Sequence, residues 1–351
     1  TGRSILLTDK LQANGNFEWK LPKGNWTIYV LKSGITGQKV KRASPGGAGL
    51  VMDHYSRKAL SAYLHRFDSV FAKHPIKPRS FFNDSYEVYG STWTPDFLEE
   101  FEARRGYKFG TYFHLLETAE DSEMKKLLYM DYQQTISELL LENFTQPITK
   151  WCNDQGVWFS NQAHGSPGNL VDFYATADFP QTEAFGTSRF DIPLVRSDPD
   201  FDESRYGKPE PLTYKFATSG ANLTGKKYVG SESFTWLGDH FKVALSQVKP
   251  QADELLVNGV NHILYHGIPY SPYNEGFPGW QFYAAVNFGP QGGLWENIPE
   301  MNRYIYNCQQ VLQNTTPDQD LILYFPIHDV WANTENKTAI NQLDVHKAEK
   351  W

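Results

Sequence analysis

Cysteine, basic charge and long apolar runs are all scarce in this chain. Two cysteines, Cys152 and Cys308, stand among 351 residues. No disulfide framework can hold the fold on that count. One bridge between them stays open, but two buried free thiols packing as small hydrophobes are the favoured state. Lys and Arg number 33 against 40 Asp and Glu, a formal net charge of −7. No basic stripe is present, which excludes the electrostatic footprint of a nucleic-acid binder. No run approaches the roughly 20 apolar residues of a membrane span, and no signal peptide opens the chain. Internal repeats and low-complexity tracts are missing. A Gly-x-Ser-x-Gly elbow is missing too, which argues against a serine nucleophile. So are the His-x-x-x-His and paired-cysteine spacings of zinc sites. The glycine-rich stretch 43–49 lacks the Lys-Ser/Thr of a phosphate loop. The chain opens on Thr1 instead of methionine and stops at Trp351 amid ordinary sequence. An internal or processed piece of a longer protein is the expectation.

Aromatic and apolar side chains are plentiful. Aromatics make up 15% of the chain, with 10 Trp and 20 Tyr, enough for a large core or for surfaces that stack on sugar rings. Five short apolar segments each end in a knot of polar residues. They are 80–87 (Ser-Phe-Phe-Asn-Asp-Ser-Tyr-Glu), 157–165, 177–183, 228–232 and 262–267. Buried parallel strands read this way, with helices between them. In a (β/α)8 barrel the chemistry gathers at the C-terminal ends of the strands. Three of these ends deliver a glutamate: Glu87, Glu183 and Glu232.

The pattern predicts an α/β fold, a (β/α)8 TIM-like barrel preceded by the end of a β-sandwich. Residues 1–45 read as the sandwich end, with alternating strands at 16–21 and 26–31 around a Pro-Lys-Gly-Asn turn. Residues 46–315 are the barrel portion, and 316–351 open a further α/β or β-rich domain with a strand at 321–326. A short strand at 49–53 brings the barrel strands to six. They are expected to be strands 3 to 8, the first two lying upstream. Glu87 then follows strand 4, Glu183 ends strand 6 and Glu232 ends strand 7. Helices are expected from Ser56, from an N-cap at Thr94 with Pro95 in the first turn, over 121–151 as one long amphipathic element, and near 211–221, 241–257 and 297–312. The acidic alternation at 197–203 resembles a calcium loop, but Glu203 stands where an EF-hand needs glycine. A solvated surface loop is the expectation there.

Glycoside hydrolysis needs two carboxyl groups, one to protonate the leaving oxygen and one to act on a water or on the anomeric centre. Strands 4 and 7 of a barrel face one another, so Glu87 and Glu232 can flank a sugar. Either glutamate alone could instead pair with a barrel Arg or Lys. Asn83 and Asp84 suit hydrogen bonds to sugar hydroxyls, and Asp84 is an alternative acid. Gln162, His164 and His266 are further strand-end polar groups suited to substrate contact, or to structural hydrogen bonding. Trp280, in the aromatic loop 269–295, could wall a sugar site or simply pack beneath that loop. Glu183 is a possible oxygen ligand for calcium.

Several motifs, in this order and spacing, resemble glycoside hydrolase family 106, the α-L-rhamnosidases of gut and environmental bacteria, notably Bacteroidetes. They are Asn25-Trp26-Thr27-Ile28, Gly49 through Ser56, Asn83-Asp84-Ser85-Tyr86-Glu87, Gln181 through Gly186, Gly230-Ser231-Glu232-Ser233-Phe234 and His266-Gly267. The resemblance implies a multidomain enzyme that removes terminal α-linked L-rhamnose from plant polysaccharide or glycoside with inversion, and that uses a calcium ion. It implies Glu87 as general acid, Glu232 as general base and Glu183 as a calcium ligand. It also implies export to the periplasm or medium. The alternatives are a retaining β-galactosidase-like barrel, which usually carries Asn before its acid where this chain has Tyr86, and a non-catalytic carbohydrate-binding protein.

Overall fold

The computed structural model describes residues 4–74, 76–119, 121–186, 202, 204 and 211–333. In chain order the elements are α1 (Arg57–Phe71), β1 (Ser80–Asn83), α2 (Phe97–Arg105), α3 (Phe109–Tyr112), α4 (Glu123–Leu140), α5 (Gln146–Asp154), β2 (Trp158–Gln162), α6 (Leu170–Thr176), β3 (Phe179–Phe185), α7 (Pro211–Leu223), β4 (Gly230–Thr235), α8 (Leu245–Val257), β5 (His262–Tyr265), α9 (Ile298–Gln313) and α10 (Ile327–Ala332). The chain divides into two compact units. One comprises Thr1–Tyr63, Val88–Phe144 and Tyr324–Gln342; the other comprises Leu64–Glu87, Thr145–Leu323 and Leu343–Trp351.

The second unit holds the sheet. Its five strands run parallel in the order β1-β2-β3-β4-β5. Each crossover returns the chain to the next strand, and helices line the connections as parallel pairing requires. β3 is buried through its middle five residues, in keeping with a parallel sheet covered on both faces. α7 packs on β3 and on α6, α8 on β4, and α9 on α8. Phe234, Val248, Ala252, Val286, Phe288 and Ile305 form a continuous apolar core beneath β4. A large apolar side chain buried this fully contributes about 1.5–3 kcal/mol.

The first unit is built on aromatics and ion pairs. Phe97 and Phe101 of α2 are fully buried against Phe109 and Tyr132. Arg104 at the end of α2 reaches Glu100, Glu138 and Glu142, and Arg105 also reaches Glu138. Ser122 caps α4 by accepting the Lys125 N–H.

Several expectations are corrected. Among the described residues five strands form the sheet, not six: Leu50 makes an isolated antiparallel bridge to Lys39 and joins no ladder. The hairpin expected over 16–31 is absent among the described residues. Val30 is 78% exposed, and a two-stranded ribbon with no sheet to pack on is marginal. The strand expected at 321–326 has no ladder either, with Ile322 98% exposed. Thr94 does not cap α2. Its hydroxyl donates to Asp53 Oδ2 at 2.8 Å, and Asp96 holds the N-cap position. The long helix over 121–151 is interrupted by a π-helical turn at Leu141–Thr145. Both cysteines are free; Cys152 is buried as expected, whereas Cys308 is only half-buried. The acidic loop 197–203 lies outside the described residues, apart from Asp202. No described helix is long and apolar enough to cross a membrane.

Candidate active site

Strand parity decides which side chains share a face. Register partners in parallel strands point the same way, and Cβ atoms alternate along each strand. The pairings Phe82↔Ser160, Gln162↔Gln181, Gln181↔Gly230 and Glu183↔Glu232 therefore put Gln162, Gln181, Glu183 and Glu232 on one face. Gly230 is on that face too. A Cβ there would lie 2.9 Å from both the Gln181 Cγ and the Phe179 Cζ, so the missing side chain makes room for Gln181. Asn83 has the opposite parity, and its Nδ2 donates to Oδ1 of its register partner Asn161 at 2.8 Å.

Glu232 meets a hydrogen-bond donor on each oxygen. Gln162 Nε2 donates to Oε2 at 3.0 Å, and Thr235 Oγ donates to Oε1 at 3.0 Å. His266 Nδ1 lies 3.1 Å from the Thr235 hydroxyl and 3.4 Å from Glu232 Oε1. Thr235 can reach back because the strand end is sharply re-aimed. Phe234 and Trp236 adopt φ of 74° and 54°, left-handed conformations that cost of order 1–3 kcal/mol each outside glycine. Packing and hydrogen bonds hold them. The Phe234 N–H donates to Gln251 Oε1 at 2.7 Å, and the Trp236 N–H to the Ala284 carbonyl at 2.9 Å. The fully buried Gln251 also donates its Nε2 to the Gly186 carbonyl.

Glu183 stands beside Glu232, buried, with one oxygen 2.7 Å from His164 Nε2. Burial pushes its carboxyl up to about 7; the His164 contact works against the rise and the charge of Glu232 adds to it. His164 is itself tied down. Its backbone N–H donates to the fully buried Tyr174 hydroxyl at 3.2 Å, and its carbonyl accepts the Tyr86 N–H at 3.1 Å. Gly165, with φ of 80°, permits this approach: a Cβ there would lie 2.7 Å from the Tyr86 carbonyl oxygen.

The Tyr86 bond anchors the loop that carries Asp84 and Glu87. Asp84 keeps contact with solvent, yet the protein crowded around it pushes its carboxyl above the ordinary value. The Ser85 N–H opposes that shift, Glu232 reinforces it, His164 opposes it and Glu87 reinforces it. Glu87 is half-buried. Asp84, Glu87, Gln162, His164, Glu183, Glu232 and His266 are thus linked by contact or charge. Trp280 sits in the loop after β5, half exposed, its ring edge-on to Tyr270 at 6.0 Å. Two aromatics meet the set among the described residues: Phe282, edge-on to His266 at 5.2 Å, and Phe185, edge-on to His164 at 6.5 Å.

Three participants were not foreseen: Thr235, Gln251 and Tyr174. Thr235 lay in plain view three residues after Glu232, but only the left-handed turn at Phe234 aims it. Gln251 and Tyr174 sit on helices and carry no local signal.

The donor chemistry suits a hard cation. Glu183 and Glu232 bring two carboxylates together, and Gln162 Oε1 is buried without a hydrogen-bond partner. Calcium takes about six to eight oxygens. Among the described residues no group of three or more His, Cys, Asp or Glu side chains has a metal-holding arrangement. A calcium ion here would therefore complete its shell with amide, water or sugar oxygens.

Residues 2–344 match the family Glyco_hydro_106, described as alpha-L-rhamnosidase. Over 333 residues the chain is 28% identical to a curated protein of Formosa agariphila whose provisional name is beta-glucuronidase, covering 91% of this chain and 26% of that relative. The solved rhamnosidase of Novosphingobium sp. PP1Y is similar in structure, with a TM-score of 0.67 at 23% identity, over 88% of this chain and 30% of that one. That likeness supports the fold, an α/β architecture on a parallel sheet. The chain spans between a quarter and a third of the length of these relatives.

Proposed function

Because the chain belongs to the glycoside hydrolase 106 family, we propose that it carries the catalytic face of an exo-acting α-L-rhamnosidase. The observation that carries this reading is the pairing of an oriented carboxylate on β4 with a carboxylate loop after β1. Glu232 presents two oxygens, each met by a donor, and Glu87 and Asp84 are coupled through charge on the loop tied down by Tyr86.

In this reading Glu87 protonates the glycosidic oxygen as the bond to the leaving group breaks. Glu232 takes a proton from the water that attacks the anomeric carbon from the other face, releasing β-L-rhamnose. Gln162 and Thr235 hold the base in place. Gln162, His164, His266 and Trp280 are proposed as substrate contacts, whereas Asn83, on the opposite face and bonded to Asn161, braces β1 against β2. Calcium at Glu183, when bound, would supply positive charge that orients sugar hydroxyls and offsets the acidic face. The five strands would be strands 4 to 8 of a (β/α)8 barrel completed elsewhere in an exported, multidomain protein. The 46–315 barrel boundaries belong to the same proposal, with 1–45 and 316–351 as flanking segments.

A second assignment of the acid has its own support. Asp84 lies nearer the strand end, and its surroundings push its carboxyl above the ordinary value, the direction a general acid needs. The sugar is constrained by charge. The groups bonded or coupled to Glu183, Glu232 and Asp84 are carboxylates, amides, hydroxyls and imidazoles, with no Lys or Arg among those described. An uncharged deoxy sugar needs no cationic side chain at such a face, whereas the uronate named for the Formosa relative would depend on a bound cation.

The test is hydrolysis of aryl α-L-rhamnoside and aryl β-D-glucuronide by the full-length protein. Turnover of the rhamnoside alone is expected. Turnover of the glucuronide alone would replace the substrate assignment, and turnover of neither with sugar binding intact would point to a binding protein.

A further inference from the structure

The hydroxyl of Thr235 touches two groups, Glu232 Oε1 at 3.0 Å and His266 Nδ1 at 3.1 Å. A hydroxyl has one proton to give and two lone pairs to accept with. An ionised carboxylate can only accept. If Thr235 gave its proton to His266, Glu232 Oε1 would face a lone pair at hydrogen-bond distance. Donation to Glu232 avoids that, and then the contact with His266 is satisfied only if Nδ1 carries a proton and donates to Thr235.

We propose that Thr235 is a positioning residue for Glu232, its hydroxyl donating to the carboxylate and accepting from His266 Nδ1–H. The arrangement sets the orientation of both neighbours. Glu232 is held between Gln162 on one oxygen and Thr235 on the other, which limits rotation of the carboxylate plane. In the neutral ring His266 is locked as the Nδ1–H tautomer, so its Nε2 is an acceptor for a sugar hydroxyl. No proton passes through Thr235 during the reaction; it stays bonded while Glu232 takes the proton from water. The left-handed backbone at Phe234 and Trp236 places the hydroxyl. Strain at that point is thereby linked to the aim of the base.

This inference rests on the reading of Glu232 as general base. It is tested in the full-length protein with aryl α-L-rhamnoside as substrate, comparing Thr235→Val, Thr235→Ser and Glu232→Gln. Thr235→Val is expected to lower kcat about 10- to 100-fold, the effect of losing one hydrogen bond to a charged group, with KM changed by less than about 3-fold. Thr235→Ser keeps the hydroxyl and is expected to retain kcat within about 5-fold. Nitrogen-15 NMR of labelled histidine is expected to show His266 as Nδ1–H in the wild type and in Thr235→Ser, and shifted toward Nε2–H in Thr235→Val. Wild-type kcat in Thr235→Val, or equal damage in Thr235→Ser and Thr235→Val, would overturn the proposal. So would an Nε2–H tautomer in the wild type, a measurement that needs no variant to fold. The two readings fail differently. An active Glu232→Gln removes the base assignment itself, whereas an inactive Glu232→Gln beside a normal Thr235→Val removes only the role of Thr235.

Discussion

Glu183 and Glu232 are register partners on neighbouring parallel strands, so two carboxylates stand side by side at the end of the sheet. One is buried and held near His164; the other is bridged by Gln162 and Thr235. Burial pushes the Glu183 carboxyl up to about 7, and the neighbouring Glu232 charge adds a smaller push in the same direction.

A pH dependence of stability follows. The folded value of Glu183, about 7, lies above the ordinary carboxylate value of 4.5. Below the lower value both folded and unfolded chains hold the proton, and nothing is lost. Between the two values the folded chain holds a proton that the unfolded chain has released. Stability therefore falls as pH rises through this window and levels off above it, by about 3 kcal/mol from this group. Unfolding in denaturant between pH 4.5 and 8, with chelator present, checks it. Glu183→Gln is expected to flatten the slope; an unchanged slope in that variant would mean another group sets it.

Calcium should act on the same carboxyl with the opposite dependence on pH. A cation competes with the proton, so its stabilising effect grows as the carboxyl ionises. Millimolar calcium is expected to raise Tm more at pH 8 than at pH 5, and Glu183→Gln to abolish the difference. Equal shifts in the wild type and Glu183→Gln would place any bound calcium elsewhere.

Glu87 and Asp84 can be told apart by the leaving group. Loss of the general acid slows poor leaving groups far more than good ones. Glu87→Gln is expected to lower kcat/KM by about 100-fold or more on an alkyl rhamnoside and much less on a nitrophenyl rhamnoside. Asp84→Asn is expected to raise KM while leaving that contrast small. The reverse pattern would make Asp84 the acid.

Gly165 holds two loops together. Gly165→Ala would strain a φ of 80° and press a Cβ to 2.7 Å from the Tyr86 carbonyl oxygen. A destabilisation of about 1–3 kcal/mol is expected, with a fall in kcat as the Tyr86–His164 bond is lost. Gly230→Ala, which would crowd Gln181 and Phe179, is expected to cost a similar amount. Normal Tm and activity in Gly165→Ala would show that the loop is anchored by other contacts.

Much of the sheet is legible because buried parallel strands advertise themselves as short apolar runs. Phe81-Phe82, Trp158-Phe159 and Ile263-Leu264 each begin a polar strand end. Glu183 and Glu232 follow directly from that pattern, since both lie within strands. Thr235 does not, because its aim depends on the conformation of Phe234, which is a core residue held by a glutamine on α8. The apolar alternation around Ile28 and Val30 misleads in the other direction: its periodicity is real, but both side chains are exposed and no partner strand pairs with them among the described residues. Thr94 carries a proper N-cap signal that Asp53 outcompetes. Tertiary partners decide each of these cases, and local sequence carries no trace of them.

The most direct measurement is proton NMR of aryl α-L-rhamnoside hydrolysis by the full-length protein, recorded before the released sugar mutarotates, with Glu87→Gln and Glu232→Gln alongside. β-L-rhamnose appearing first, with loss of turnover in both variants, is the predicted result. α-L-rhamnose appearing first would make Glu232 a nucleophile and the enzyme retaining, and undiminished turnover in either variant would contradict the paired-carboxylate account.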